Sequence, residues 1–118
     1  LYRDDLMVGC SVDGDIDDFT GIAEIKCPKT ATHLRYLREH TMQDDYRWQV
    51  IHNLWVTGAQ WCDLVSFDPR MPSYARLYRH RVERDEAAIA AYASAASVFL
   101  AEVDAEVAAI RALEEAPL

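Results

Sequence analysis

A mixed α/β domain, one central sheet with helices packed against it, is the fold this sequence predicts. Two observations carry the prediction. Segments that alternate with strand period are interleaved with segments of helical period, and an Ala-rich amphipathic stretch closes the chain. At 118 residues the chain can bury one core and no more, since single domains typically run to about 100–150 residues.

Taken in order, Met7 to Val12 reads as a strand closed by the turn pair Asp13-Gly14. An acidic loop from Asp15 to Gly21 follows. Ile22 to Cys27 reads as a second strand, ended by Pro28, which has no N–H to give a ladder. Thr30 to His40 carries Leu34 and Leu37 with Tyr36 between, the pattern of a short helix capped by Thr30 or Thr32. Asp44 and Asp45 are the expected caps of the next helix, Tyr46 to Val56, and Gly58 its expected stop. Tyr46, Gln49, Val50 and Asn53 line one side of that helix. Trp61 to Phe67 and Arg76 to Val82 alternate as two strands of a hairpin joined by a Pro-rich loop. Beyond Arg84, an apolar stripe of Ile89, Tyr92, Ala96, Phe99, Val103, Val107, Ile110 and Leu113 marks one long helix. The chain is thus expected to be a single domain over 1–118, with a core over 1–86 and the amphipathic helix over 87–116. Because it opens on Leu1 with what reads as an element entering a core, it is expected to be the C-terminal part of a longer protein.

Composition excludes several classes of function. No apolar run approaches the ~20 residues needed to span a bilayer and no signal segment opens the chain, so a soluble, intracellular protein is expected. Cys10, Cys27 and Cys62 are odd in number, widely spaced and without a CxxC pair, which supports neither a disulfide framework nor a zinc site. Each is expected to be a small buried hydrophobe. The net charge of −8 weighs against a nucleic-acid partner until its distribution is considered. From Val82 onward eight acids face only Arg84 and Arg111, while Leu1 to Arg81 holds twelve acids against ten bases. The acidity belongs mostly to the tail. Clustered carboxylates elsewhere count as negative only until cations bind them.

One constellation carries chemistry. Period-two alternation puts Glu24 and Lys26 on one face of their strand, with Ala23, Ile25 and Cys27 on the other. Asp13, ending the preceding strand, could converge with Glu24 on one Mg²⁺, which would activate water and absorb charge on a phosphate. Lys26 would then lie within reach of the attacking water or the scissile phosphate. On spacing alone, such a trio also occurs as an ordinary solvated face.

The surrounding strings are more specific. Gly9-Cys10-Ser11-Val12-Asp13-Gly14, Gly21-Ile22-Ala23-Glu24-Ile25-Lys26-Cys27-Pro28, Tyr46-Arg47-Trp48-Gln49-Val50 with Leu54-Trp55-Val56-Thr57-Gly58, and Phe67-Asp68-Pro69-Arg70 occur in this order. Together they resemble the YqaJ-like viral recombinase (lambda exonuclease) family from about Met7 to Glu86. The resemblance implies a restriction-endonuclease-like PD-(D/E)xK fold. It also implies an Mg²⁺-dependent hydrolase, with Mn²⁺ able to substitute, that digests one strand of linear duplex DNA from a 5′ end. The product is a 3′ overhang for a phage single-strand annealing protein. By position it makes Asp13 and Glu24 the metal carboxylates, the Ile25 carbonyl a further ligand, Lys26 the motif lysine and Gln49 an active-site glutamine. It places Ser11 near a terminal-phosphate pocket. A phage or prophage protein acting in the bacterial cytoplasm, assembled as a trimer, is the corresponding expectation. Val12 replaces the family's usual proline, and the family's N-terminal helical region, with its phosphate-capturing arginine, has no counterpart in these residues.

Each assignment has a plainer competitor. Gln49 could be a surface or capping residue, and Tyr46 could be core rather than a DNA contact. Trp48, Trp55 and Trp61 read as packing residues, and no histidine is assigned to chemistry. Arg70 reads as a salt bridge to the sheet edge or a phosphate contact. Arg76, Tyr78, Arg79, His80 and Arg81 could track a DNA backbone or form a solvated strand face. The terminal helix is a packing element or an oligomer contact. Another PD-(D/E)xK endonuclease, or a catalytically silent DNA-binding or assembly module, would share most of these features.

Overall fold

The computed structural model describes residues 1–115, so the expected helix end at Ala116 lies outside the described residues. Its elements are β1 (Tyr2–Arg3), β2 (Val8–Gly9), β3 (Gly14–Ile16), β4 (Gly21–Lys26), α1 (Thr30–Glu39), α2 (Gln43–Thr57), β5 (Trp61–Phe67), a 3-10 turn (Ser73–Ala75), β6 (Leu77–Glu83) and α3 (Glu86–Glu115). The main sheet has the order β3-β4-β5-β6. β4 and β5 are parallel, joined through α1 and α2, while β3 and β6 pair antiparallel at the two edges. The mixed α/β fold and the β5–β6 hairpin are as the sequence predicts.

The N-terminal region differs from its sequence reading. Instead of one strand over Met7 to Val12, only Val8–Gly9 pairs, and it does so with Tyr2–Arg3. Asp13-Gly14 is not a turn. Gly14 opposes Ala23 as the first residue of β3, so long-range pairing overrides the local Asp-Gly preference. The reversal lies at Asp17, Asp18 and Phe19, all with positive φ. It is held by the Thr20 N–H and hydroxyl, both donating to the Asp17 carbonyl at 3.2 and 2.8 Å.

Parity across the sheet separates two faces. Ile22, Glu24 and Lys26 share a face with Cys62, Leu64 and Ser66 and with Tyr78, His80 and Val82. Helices α1 and α2 cover this face. Ile22, Cys62 and Leu64 are fully buried there, against Val50 and Leu54 of α2 and Tyr36 of α1. Gly21 is required where β4 begins, because a Cβ there would overlap the Trp61 indole. Arg81, 3.6 Å from the centroid of that ring, limits how far the indole could move.

The caps and buried stripes were only partly legible. Gly58 ends α2 in the left-handed conformation as expected, φ 75°. The residues before the first helical turns are Lys29 and Met42, neither making a side-chain cap. Thr30 instead donates its hydroxyl to Asp68 at 2.6 Å. Asp45 accepts from the Tyr36 hydroxyl, also at 2.6 Å. Helix α1 buries His33 and Tyr36 rather than centring on Leu34 and Leu37. His33 is tolerated because both ring nitrogens are satisfied. Nε2 donates to the Ala75 carbonyl at 2.7 Å, so Nδ1 accepts from the Ser66 hydroxyl at 2.7 Å. In α3 Ile89 is buried and Tyr92 packs against the core, whereas Phe99, Ile110 and Leu113 are exposed. Of the cysteines only Cys62 is buried, where burial pushes its thiol up to about 12; Cys10 is half-buried and Cys27 exposed. Trp48 is likewise exposed, its ring lying against Tyr92.

Candidate active site

Asp13, Glu24 and Lys26 do meet, through the antiparallel pairing of β3 with β4. Asp13 sits just before β3, and its carboxylate accepts the Ile25 N–H at 2.7 Å. In an extended strand the N–H and C=O of one residue point to the same edge. The Ile25 carbonyl therefore faces the Asp13 side of β4, beyond the end of β3, while the Ile25 side chain is exposed on the open sheet face.

Glu24 is 3 % exposed, and α2 supplies its donors. Asn53 Nδ2 lies 3.1 Å from Glu24 Oε1, and Gln49 Nε2 lies 3.4 Å from Oε2. Burial and, next, the negative charge of Asp13 push the Glu24 carboxyl above its ordinary value, with Lys26 opposing them. Two carboxylates side by side, one of them buried, form a site whose charge calls for a cation. Lys26 Nζ donates to Gln49 Oε1 at 2.8 Å and stands 4.8 Å from the Tyr46 ring centroid. That bond fixes the Gln49 amide, since its oxygen must face the ammonium and its nitrogen Glu24.

The helix side named from the sequence, Tyr46, Gln49 and Asn53, is thus the side facing β4, although the sequence reading gave Asn53 no role. The available signal was its position four residues after Gln49. Ser11 is exposed, two residues before Asp13. Its segment is tethered to α2 by His52 Nε2, which donates to the Gly9 carbonyl at 2.8 Å. Tyr46 engages Lys26, and Arg70 pairs with buried Asp68 at 2.8 Å while also reaching the Pro28 carbonyl at 3.4 Å. On β6, Arg79 and Arg81 are directed at Asp63 on β5. No group of three or more His, Cys, Asp or Glu able to hold a metal occurs among the described residues. A cation here would take the two carboxylates and a backbone carbonyl.

The sequence pattern of the YqaJ-like viral recombinase domain matches residues 1–60. The chain belongs to this family. The YqaJ-like domain is also similar in structure to an alkaline exonuclease, LHK-Exo, from Laribacter hongkongensis, with 40 % identity and a TM-score of 0.81. A structure of LHK-Exo in complex with dAMP gives 39 % identity and a TM-score of 0.80. In both comparisons 90 % of this chain is covered, and it spans 55 % of the relative's length. No curated protein matches it. With 90 % of the chain covered, the likeness extends past the matched residues 1–60, and it shows that the fold is that of the corresponding part of the alkaline exonuclease.

Proposed function

We propose that this YqaJ-like domain carries the cutting centre of a divalent-cation-dependent DNA exonuclease. The observation that carries the reading is the convergence of Asp13, Glu24 and Lys26, with Asp13 bound to the Ile25 N–H between the other two and the Gln49 amide bridging Glu24 and Lys26. The all-oxygen donor set of Asp13, Glu24 and the Ile25 carbonyl suits a hard cation, Mg²⁺ with Mn²⁺ as substitute. When bound, such an ion supplies an activated water and charge neutralisation at the phosphate. The chain's own residues do the rest. Lys26, held by Gln49 and Tyr46, offers an ammonium to the nucleophile or the phosphate, and Ser11 lies on the Asp13 side as a candidate contact for a terminal phosphate.

Digestion of linear duplex DNA from the 5′ end, leaving a 3′ overhang for a phage annealing protein, follows the resemblance to the family, and the names of its structural relatives support exonuclease action alone. A trimeric assembly in the bacterial cytoplasm rests on the same resemblance. No helix among the described residues is long and apolar enough to cross a membrane.

The test uses the intact gene product and linear duplex DNA labelled at one 5′-phosphorylated end, with Mg²⁺ or EDTA. Mononucleotides should be released from that end only with Mg²⁺, and Lys26→Ala should slow release by about 10²- to 10⁴-fold. Internal cuts, or no cutting by a folded protein that binds cation, would reject the exonuclease reading in favour of an endonuclease or a silent module.

A further inference from the structure

We infer that Asn53 is a positioning residue for Glu24, so that α2 holds the buried carboxylate between two amides spaced one helical turn apart. The inference rests on reading Asp13 and Glu24 as cation ligands. Residues four apart on a helix lie on one face, and here Gln49 and Asn53 address different oxygens of the same carboxylate. Their contributions are unequal. Gln49 is exposed, shared with Lys26, and 3.4 Å from Oε2, at the limit of a hydrogen bond. Asn53 is 4 % exposed and makes the shorter contact to Oε1.

A carboxylate oxygen in the interior needs a donor. With an apolar side chain at position 53, Oε1 would lose its one side-chain donor among the described residues, and the carboxylate would turn away from the orientation that Asn53 holds, which costs it competence as a ligand. Asn53 therefore fixes the rotation of the carboxylate through Oε1 and leaves Oε2, with its weaker partner, freer to coordinate. Leu64, the residue opposite Glu24 on β5, is apolar and fully buried, and cannot substitute as a donor.

The experiment measures Mn²⁺ binding to the full chain without DNA, by electron paramagnetic resonance, beside thermal melting. Asn53→Leu should weaken Mn²⁺ binding by about 10- to 100-fold, the usual effect of removing a group that orients a metal ligand. Cleavage should recover as Mn²⁺ is raised. Val56→Ala, a buried substitution elsewhere on α2, should lower the melting temperature without changing Mn²⁺ affinity. If Asn53→Leu does not fold, Asn53→Ala gives the same readout. Unchanged Mn²⁺ affinity in a folded Asn53 variant, or no Mn²⁺ binding by the wild type, would overturn the inference. Asn53-dependent Mn²⁺ binding by a protein that cuts no DNA would leave it standing and end the nuclease reading. DNA cleavage with Asn53-independent affinity would do the reverse.

Discussion

Replacing Gln49 by Leu separates the orientation of the centre from its integrity. Gln49 is exposed, and substitutions on an exposed helix face usually change stability by no more than about 0.5 kcal/mol, so the variant should melt close to the wild type. Its effect on cutting follows from two contacts. The Lys26 Nζ bond at 2.8 Å is short and charge-assisted, whereas the Glu24 contact at 3.4 Å adds little. A hydrogen bond to a charged group contributes about 1.5–3 kcal/mol, and exposure puts this one at the lower end. A loss of about 1.5 kcal/mol in transition-state stabilisation corresponds to about tenfold in kcat/KM. The assay is nucleotide release from linear duplex DNA at saturating Mg²⁺, with melting measured on the same preparations. An unchanged kcat/KM would mean that Lys26 needs no orientation by Gln49. A loss beyond about a thousandfold with normal melting would also refute the reasoning, because Gln49 would then be touching the reacting atoms.

Two further predictions concern stability. Gly21→Ala forces a methyl against an indole that Arg81 confines, and overpacking of this kind costs about 1–3 kcal/mol; a melting temperature equal to the wild type would show that Trp61 moves freely. Asp68 is fully buried and held down to about 2, first by the Arg70 guanidinium and then by the Thr30 hydroxyl. Because its folded pKa lies below the unfolded one, its contribution is present above about pH 4 and lost as pH falls toward about 2. Urea denaturation at stepped pH should find Arg70→Ala less stable at pH 6, with the gap to wild type closing over that acid window. A gap that stays constant down to pH 2 would assign the Arg70 contribution to something other than the Asp68 charge.

Much of the candidate site's geometry is legible in the sequence, and particular residues explain why. The alternation of β4 alone puts Glu24 and Lys26 on one face, and the pitch of α2 alone aligns Tyr46, Gln49 and Asn53. The blocks around Asp13, Glu24, Gln49 and Asp68 carry the resemblance to the family. Misread elements were those whose fate depends on distant partners. Gly14 became a strand residue because Ala23 lies opposite it, and Thr30 was drawn from capping by Asp68, 38 positions away. His33 has the composition of a surface residue and is buried because Ser66 and the Ala75 carbonyl complete its hydrogen bonds.

The periodicities, the β5–β6 hairpin, the glycine stop of α2, and the set of side chains each element presents together are all written in short stretches of sequence. Those are consequences of backbone geometry over a few residues. Packing in three dimensions alone lays α2 across β4, so that Asn53 reaches Glu24 over a separation of 29 residues and Gln49 reaches Lys26 over 23. It likewise decided that the Asp13 carboxylate is secured by the Ile25 N–H rather than by a turn. Such contacts depend on the packing of apolar faces far apart in the chain, and no local pattern encodes which polar groups that packing will bring within hydrogen-bonding distance.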